Sequence, residues 1–368
     1  MTNREKEIIN LIRKNPMITQ NELAEKLAIS RSSVAVHITN LMKKGFIKGK
    51  CYILDEVPYL CVIGGSNIDI QGFPNETLVP ADSNLGRIRI SFGGVGRNIA
   101  ENIARMGIAT KLITAVGNDD YGHSILNQAD IRELDCQYSV AADEFPTSMY
   151  LSILDTDGDM KLAISQMDVL KKIDPNFLES KRQVIKNARL CVLDTNLAQE
   201  SLEYLTASFP DKEFFLDTVS TVKADKAKSI LAKLYLLKPN KLEAEKLSGL
   251  AIRNLDDLKR CGAYFLEQGV KQVVISLGNG GNYYNDGKSE FLLETDQVEA
   301  VNATGAGDAF MAGLIYSYVN AYPAELTVKF AMAAAVMALS HVNTINPSIS
   351  AENINQVMER MNYVRKLS

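Results

Sequence analysis

The sequence of 368 residues is poor in the side chains that build metal centres and disulfide frameworks. It holds three histidines, and its five cysteines are scattered along the chain with no C-x-x-C spacing. An odd number of dispersed cysteines suits reduced thiols in a cytoplasm and argues against a zinc site or a disulfide-stabilised fold. So few histidines also disfavour histidine-based catalysis.

Long apolar runs are also missing, and we expect no secretory leader segment. The longest apolar runs, such as 331–339, fall well short of a membrane span, and the first six residues are polar and charged. A composition of 46% hydrophobic and 23% charged residues is that of a soluble globular protein. We therefore expect a cytoplasmic protein without membrane contact, long enough for one large and one small domain.

Charge is distributed unevenly along the chain. The first 50 residues carry ten Lys and Arg against four Glu, a net charge of +6. The whole chain has a net charge of −4, which leaves −10 for the remainder. A basic N-terminal segment on an acidic body suggests two units with different partners.

Residues 1–55 have the pattern of three short helices followed by a hairpin at 46–54. Thr19 and Glu22 have the spacing of a capping box at the start of the second helix. A serine caps the third helix, a glycine ends it, and apolar side chains at i, i+4 and i+7 give it a buried face. These residues are Ser30, Gly45, Val34, Ile38 and Leu41.

This stretch resembles the winged helix-turn-helix domains of many bacterial transcriptional regulators. The resemblance implies DNA binding, with the third helix in a major groove and lysines on phosphates. The residues concerned are Arg31, Ser32, Ser33, His37, Lys43, Lys44, Lys48 and Lys50. A dimerisation or packing module without DNA binding is the alternative, and one copy per chain would need a dimer to contact a two-fold operator.

Residues 58–368 alternate strands with helices, which predicts an α/β fold with a mostly parallel sheet covered by helices on both faces. Two stretches, 87–92 and 148–165, predict a small β sheet apart from the main one. A good hairpin turn at Asp157-Gly158 lies within the second stretch. Such a small sheet would form a lid.

The stretch NATGAGDAF, Asn302–Phe310, predicts a tight turn opening a helix. Free N–H groups and the helix dipole make that turn an anion site, and Gly305 and Gly307 around Ala306 let a phosphate approach the backbone. Asp308 follows at once, where a carboxylate would take a proton from a hydroxyl that then attacks the phosphate. Taken alone, the stretch leaves a plain capping role for Asp308 open.

A second glycine-rich stretch, Gly93–Gly107, also opens a helix. Gly93 and Gly94 stand at its start and Asn98 lies in its first turn. The spacing is not that of a dinucleotide fingerprint, and the chain has no Walker loop because no G-K-[ST] string follows such a glycine run.

Polar residues follow the first predicted strand of the body, Tyr59–Gly65. Asn67 and Asp69 come after that strand, at the carboxyl edge where open α/β sheets bind ligands. An ordinary Asx turn is the alternative.

The two glycine motifs, FGGVGRNIAENIARMG and NATGAGDAFMAGL, occur in the order and context of one family. Residues 58–368 resemble the ribokinase/PfkB family of carbohydrate and nucleoside kinases from end to end. The strings ADSNLGRIRISFGGVGRN, TSMYLSILD and LKPNKLEAEKLSG further resemble bacterial pseudouridine kinases. The resemblance implies a ribokinase-like fold, ATP-dependent phosphorylation of the 5′-hydroxyl of pseudouridine, magnesium, and a homodimer through the lid.

The resemblance also implies roles for individual residues. Asp308 would be the general base, and Gly305, Ala306 and Gly307 would bind the transferring phosphoryl group. Asn240 and Glu243 form an N-x-x-E motif expected to hold magnesium largely through waters, with an exposed polar helix face as the alternative.

The same resemblance implies contacts to both substrates. The sugar would contact Asn67, Asp69, Gly93, Gly94, Asn98, Thr147 and Asn196, with a plain strand position as an equal alternative for Thr147. The nucleotide would contact Asn240, Ser276, Gly278, Gly305, Gly307 and Asn343. Many ribokinases have an Asp where this sequence has Asn302, which leaves a requirement for a monovalent cation open.

Two other functions remain open at this point. One is a kinase for another nucleoside or sugar. The other is a transcriptional regulator whose kinase fold only senses a ligand. The leading hypothesis instead couples the kinase, through its DNA-binding domain, to control of its own catabolic operon. The intact transfer residues argue against the sensor, because a sensor needs none of them.

Overall fold

The computed structural model describes residues 2–14, 18–47, 58–127, 131, 133–296, 301 and 304–366. The chain divides into two compact units, Met1–Glu56 and Val57–Ser368, called here the N-terminal and the C-terminal unit. Within the described residues, no helix combines the length and the apolar character that crossing a bilayer requires.

The N-terminal unit contains three helices, α1 (Asn3–Lys14), α2 (Gln20–Leu27) and α3 (Arg31–Lys43). The predicted capping box is present, since the Thr19 hydroxyl accepts from the Glu22 N–H and the Glu22 carboxylate accepts from the Thr19 N–H. Ser30 caps α3 as predicted. The core of the unit is apolar: Ile8, Leu23, Val34, Ile38 and Leu41. The predicted hairpin lies mostly outside the described residues.

The described residues of the C-terminal unit form eleven α-helices with the following bounds. They are α4 (Val95–Arg105), α5 (Asp120–Leu126), α6 (Pro175–Ser180), α7 (Arg182–Asn187), α8 (Gln199–Ser208), α9 (Thr221–Ala224), α10 (Lys241–Ser248), α11 (Leu255–Glu267), α12 (Ala306–Val319), α13 (Ala324–Leu339) and α14 (Ala351–Arg360). Short 3₁₀ segments occur at Asp168–Lys172, Asp225–Lys233 and Gly278–Gly280.

Sixteen strands occur in the same described part of the chain. They are β1 (Leu60–Ile63), β2 (Asn67–Pro74), β3 (Gly86–Gly93), β4 (Thr110–Ile113), β5 (Ala115–Gly117), β6 (Leu134–Asp135), β7 (Val140–Ala142), β8 (Met149–Leu154), β9 (Met160–Gln166), β10 (Cys191–Asp194), β11 (Phe214–Asp217), β12 (Leu234–Lys238), β13 (Gln272–Ser276), β14 (Asn282–Asn285), β15 (Glu290–Thr295) and β16 (Tyr363–Lys366).

The main sheet has ten strands in the order β16-β15-β14-β13-β12-β11-β10-β1-β4-β6. Its pairings are parallel from β13 to β6 and antiparallel from β13 to β16. The carboxyl ends of β1, β10, β11 and β12 therefore meet at one edge, where a sheet of this kind binds ligands.

Helices cover both faces of this sheet because its strands are apolar on both faces. In β1, Leu60 and Val62 pack on the side of α4, α12 and α13, while Cys61 and Ile63 pack on the side of α8, α10 and α11. A Cβ on Gly313 of α12 would lie 2.6 Å from Ala331 Cα of α13, so glycine permits these two helices to pack closely.

A second sheet of four strands, β3-β2-β8-β9, is the lid. Its hairpin turn at Asp157-Gly158 is the one that the sequence predicts, with Gly158 at φ +88°. β2 pairs antiparallel with β3 over eight residues, from Asn67–Gly93 at one end to Pro74–Gly86 at the other. This pairing places Gly93 of the first glycine motif beside Asn67, one of the polar residues after β1, at the base of the lid.

Several elements differ from the sequence-based expectations. The polar residues after β1, for which an Asx turn was the alternative, begin strand β2, because β3 and β8 supply partners on both sides. The sequence predicts one strand over 110–116, whereas the structure has two there, β4 and β5, separated at Thr114. The sequence also predicts a helix around 224–231, which is mostly a 3₁₀ segment.

Candidate active site

The glycine turn before α12 has the geometry expected of an anion site. Gly305 precedes the helix at φ +86°, and Ala306 and Gly307 form its first turn. A Cβ on Gly305 would lie 2.2 Å from the carbonyl oxygen of Thr344, so neither the dihedral nor the space admits another residue. Asn302 lies outside the described residues.

Asp308 lies in the first turn of α12, and its carboxylate contacts the other glycine motif. Asn98 Nδ2 donates to Asp308 Oδ2 at 2.8 Å, although 210 residues separate the two. Both side chains are largely buried, with Asp308 9% and Asn98 3% exposed. The predicted base is therefore held by the residue predicted to contact the sugar.

The environment of Asp308 raises the pKa of its carboxyl to about 7. Burial is the largest cause, because it disfavours the charged form, and the negative charge of Asp217 adds to it. The hydrogen bond from Asn98 and the positive charge of Lys238 oppose the shift. A carboxylate with a pKa near neutrality is matched to accepting a proton at physiological pH.

A buried ion pair lies beside Asp308. Lys238 Nζ is 2.9 Å from Asp217 Oδ2, and both side chains are less than 10% exposed. The same ammonium donates to the carbonyl oxygen of Gly307 at 3.3 Å. Asp217 and Lys238 end the adjacent parallel strands β11 and β12, which places a positive charge directly beside the glycine turn.

Asp194, at the end of β10, holds two glycine segments together. Its Oδ2 accepts from Gly65 N at 2.8 Å and from Gly96 N at 2.7 Å. A Cβ on Gly64 would lie 2.4 Å from that oxygen, so glycine is required for the carboxylate to enter. Asp194 thus fixes the start of α4, and with it Asn98, against the end of β1.

The predicted sugar-binding residues meet at the base of the lid. Asn67 Nδ2 donates to Asp69 Oδ1 at 2.6 Å, and Asn67 pairs with Gly93 across β2 and β3. A Cβ on Gly93 would lie 2.2 Å from Asp69 Oδ2. Gly94 has φ +98°, and its Cβ would meet Gly65 O at 2.5 Å. Both glycines are therefore sterically required here.

A cavity of about 490 Å³ opens beside the glycine turn. Its lining includes the last residues of β12 and β13 and the segments that follow them: Lys238, Asn240, Ser276 and Gly278. Ala306 and Gly307 form one end, and apolar residues of α13 form a wall: Met332, Ala335, Val336 and Leu339. The size and the mixture of an apolar wall with a few polar groups fit a nucleotide-sized ligand.

Asn240 and Glu243 form a capping box at the start of α10. Glu243 is 4% exposed, and its carboxylate accepts from Asn240 N, Asn240 Nδ2 and Thr218 Oγ1 at 2.6 to 2.8 Å. No cluster of three potential acidic, histidine or cysteine ligands exists among the described residues. A direct metal bond would displace these donors, so the pair fits magnesium only through metal-bound waters.

Comparison with known proteins identifies the family. A model of the pfkB family carbohydrate kinases matches residues 57–351, and a winged helix-turn-helix DNA-binding model matches residues 1–48. The chain belongs to the pfkB family of carbohydrate kinases. The predicted ribokinase-like α/β fold and the N-terminal winged helix-turn-helix domain are confirmed.

Two relatives from Escherichia coli (strain K12) are similar to this kinase to nearly the same degree. The uncharacterized sugar kinase YeiI is 39% identical over 96% of this chain and 98% of that protein. Pseudouridine kinase is 38% identical over 83% of this chain and 97% of that protein. The crystal structure of a candidate sugar kinase from Clostridium perfringens is 40% identical, with a TM-score of 0.76, over 84% of this chain and 98% of that one.

Three predicted ligand-binding residues of the kinase are placed differently from expectation. Thr147 has no exposed surface, and its hydroxyl donates to Asp119 and accepts from Gly117 N, so it stabilises the loop instead of lining the site. Asn343 lines a separate cavity of about 440 Å³ with lid residues and does not line the nucleotide-sized one. Asn196 lies beside Gly65, but its Oδ1 already accepts from Lys223 Nζ at 2.6 Å.

The predicted DNA-contacting residues of α3 divide into two groups. Arg31, Ser32, Ser33 and Lys43 are exposed, as the prediction requires. Lys44 instead bonds both oxygens of the buried Glu5 carboxylate, at 2.8 and 2.9 Å, and so ties α3 to α1. His37 is half-buried, and its Nδ1 has no partner. Lys48 and Lys50 lie outside the described residues.

Four charged residues of the site are not among those predicted from the sequence: Asp194, Asp217, Lys238 and Arg97. The first three share one signal, because each is the last residue of a short apolar run that forms a buried parallel strand. Charges in that position reach the carboxyl edge of the sheet, where ligands bind. Arg97 stands within the glycine motif itself, and its guanidinium contacts Asn98 and Glu101.

Proposed function

We propose that this kinase transfers the γ-phosphoryl group of ATP to the 5′-hydroxyl of pseudouridine. The hydrogen bond between Asn98 and Asp308 carries the proposal, since it joins the base of the lid to the anion turn. One nucleoside is thereby able to bond Asp69 through its ribose diol and Asp308 through its 5′-hydroxyl. The 38% identity to pseudouridine kinase over 97% of that protein supports the choice of nucleoside.

The residues of the site have complementary roles in this reaction. Asp308 Oδ1 accepts the proton of the 5′-hydroxyl, and the oxygen then attacks the γ-phosphorus in line with the departing ADP. The N–H groups at the start of α12 and the ammonium of Lys238 stabilise the charge on the transferring group. Asp69 and Asn67 orient the ribose through its vicinal hydroxyls.

The nucleotide belongs in the cavity of about 490 Å³, with its phosphates towards Gly307 and Lys238. Magnesium, when bound, neutralises phosphate charge, and Glu243 and Asn240 orient its waters. Neither residue needs to leave the capping box for that role. A monovalent cation is not part of the proposal, since Asn302 lies outside the described residues.

The test is a panel of nucleosides and sugars with labelled ATP and magnesium. We expect turnover of pseudouridine, with phosphate at the 5′ position, and a loss of at least about 10³-fold in kcat for Asp308→Asn without any loss of stability. The control is Asp286→Asn, an acid outside this site. Phosphorylation of ribose or uridine but not of pseudouridine would show that the proposed substrate is wrong. The absence of turnover with every acceptor would reject the kinase reaction.

We further propose that the N-terminal domain binds DNA, as its family and the exposed Arg31 and Lys43 suggest. YeiI, which aligns with 96% of this chain, shares both units. The alternative is a transcriptional regulator whose kinase fold only senses a ligand. Such a protein would show DNA binding that responds to pseudouridine and would form no phosphorylated product. The labelled-ATP panel separates that function from catalysis.

A further inference from the structure

Arg97 adjoins the catalytic amide but contacts neither substrate in the proposed reaction. It follows the glycine turn on α4, and its side chain is 4% exposed. Its Nη1 donates to Asn98 Oδ1 at 3.2 Å, and its Nη2 donates to Glu101 Oε2 at 2.5 Å. The guanidinium carbon also lies 5.0 Å from the centre of the Phe92 ring at the end of β3. These contacts hold the guanidinium in one place.

The chemistry of these groups fixes the orientation of the Asn98 amide. An asparagine amide has one acceptor end and one donor end, whereas a guanidinium only donates. The end that faces Arg97 must therefore be the oxygen, which leaves Nδ2 facing Asp308. In the reverse orientation the amide oxygen would face the carboxylate, and two acceptors would repel each other.

Glu101 holds Arg97 in position for this task. Its Oε2 accepts from Arg97, and its Oε1 is 2.7 Å from Arg105 Nη2, so one buried carboxylate lies between two cations, each one helical turn away from it. Arg105 also contacts Glu101, but its Nη1 donates to Pro347 O, and within the described part of the chain no hydrogen bond joins it to Asn98. Arg105 therefore offers a matched comparison.

We propose that Arg97 is a positioning residue: it sets the amide of Asn98 so that Nδ2 bonds the carboxylate of Asp308 and leaves the other oxygen for the acceptor hydroxyl. The inference rests on the proposed phosphoryl transfer for its effect on rate, but the orientation itself is a property of the free protein. It assigns no substrate contact to Arg97.

The groups that face Asp308 define the expected effect. Asp217 and Asp194 raise its pKa, whereas Lys238 and the Asn98 amide lower it. Loss of the amide donor in Arg97→Met therefore moves the ionisation of Asp308 upward. We expect the acidic limb of kcat/KM to shift by about 0.5 to 1 pH unit and kcat at pH 7 to fall about 10-fold, with KM for the nucleoside changing less.

The experiment compares Arg97→Met, Arg97→Lys and Arg105→Met. Lysine retains the charge but presents a single ammonium in place of the fork, so it should give a smaller shift in the same direction. Arg105→Met breaks the same ion cluster and should leave the limb in place. If the acidic limb of kcat/KM lies at the same pH in Arg97→Met and Arg105→Met, the proposal is overturned.

A second readout does not depend on turnover. The carboxyl carbon of Asp308 is titrated by NMR in protein labelled with ¹³C-aspartate, and its resonance is assigned by its absence in Asp308→Asn. An upward shift of the Asp308 titration in Arg97→Met, absent in Arg105→Met, supports the proposal even if no acceptor is phosphorylated. An unchanged Asp308 titration in Arg97→Met rejects it, whatever the result of the substrate panel.

Discussion

Asp308 is a buried carboxyl group between one amide donor and three charged groups on strand ends. Its partners come from α4, β10, β11 and β12, so no local segment sets its ionisation. The carboxylate is held by Asn98 on one oxygen, while Lys238 is paired with Asp217 and not with Asp308 itself. The result is a base that is neutral in acid and becomes charged near neutral pH.

The first prediction concerns the pH dependence of the reaction. Because the pKa of Asp308 is about 7, kcat/KM should fall about tenfold per pH unit below that value. Steady-state rates between pH 5 and 9 with saturating magnesium measure this limb. A rate that stays constant down to about pH 5 would show that a group other than Asp308 controls the proton transfer.

The second prediction concerns the stability contributed by Asp308, which falls as pH rises, whereas the rate falls as pH decreases. The folded pKa of Asp308 lies above its unfolded value of 3.8, so folding favours the protonated form. The contribution of Asp308 to the free energy of unfolding is fully present below pH 3.8 and is lost as the pH rises through about 7. Asp308→Asn should therefore be more stable than the wild type at pH 8, by about 1 to 4 kcal/mol in urea unfolding, and this difference should shrink towards pH 5.

At the scale of elements, two glycines with the same backbone dihedral have different surroundings. Gly305 before α12 and Gly107 after α4 have φ of +86° and +87°. A Cβ at Gly107 would meet nothing within 4 Å, whereas one at Gly305 would lie 2.2 Å from a backbone oxygen. The comparison separates the cost of the left-handed conformation from the cost of a collision.

The third prediction uses this pair. Gly107→Ala should cost about 1 to 2 kcal/mol of unfolding free energy and leave kcat unchanged, because only the dihedral is strained. Gly305→Ala adds the clash with Thr344 O, so the turn must move and kcat should fall at least about 10²-fold. Urea unfolding and steady-state rates are measured on both. Equal activity in the two variants would mean that the turn does not bind the phosphoryl group.

At the scale of the whole molecule, the lid has one apolar face with large exposed side chains. Ile90 pairs with Ile70, Ile70 with Leu151, and Leu151 with Ile164, which places one apolar row across all four strands. Ile90 is 54% and Ile164 58% exposed. An apolar surface of this extent marks an interaction site, which supports the predicted homodimer.

The fourth prediction is that the protein in solution has twice the 40.5 kDa mass of one chain. Ile164→Asp should produce monomers in light scattering, because a charge on the apolar face opposes its burial. Ser165→Asp, the exposed neighbour on the other face of β9, should remain dimeric. A monomeric wild type would exclude the lid dimer.

The fifth prediction concerns the N-terminal domain in the full chain. Affinity for duplex DNA should fall with salt, and Arg31→Ala should reduce the slope of log K against log salt by about 1. Lys44→Met should lower thermal stability, because Lys44 is paired with Glu5. For the same reason it should leave the slope of log K against log salt unchanged. Fluorescence anisotropy measures the slope, and binding that is absent or independent of salt would contradict the DNA function.

The sequence by itself determined the alternation of strands and helices, the turn before α12, both caps of the N-terminal domain and the family. Each depends on local spacing: glycines where backbones approach, capping residues, and apolar periodicity. The tertiary structure alone decided that Asn98 bonds Asp308, that Asp194 joins two glycine segments, and that Thr147 and Lys44 are engaged inside the protein. Those contacts join residues tens to hundreds of positions apart, and only the packing of strands and helices brings such residues together.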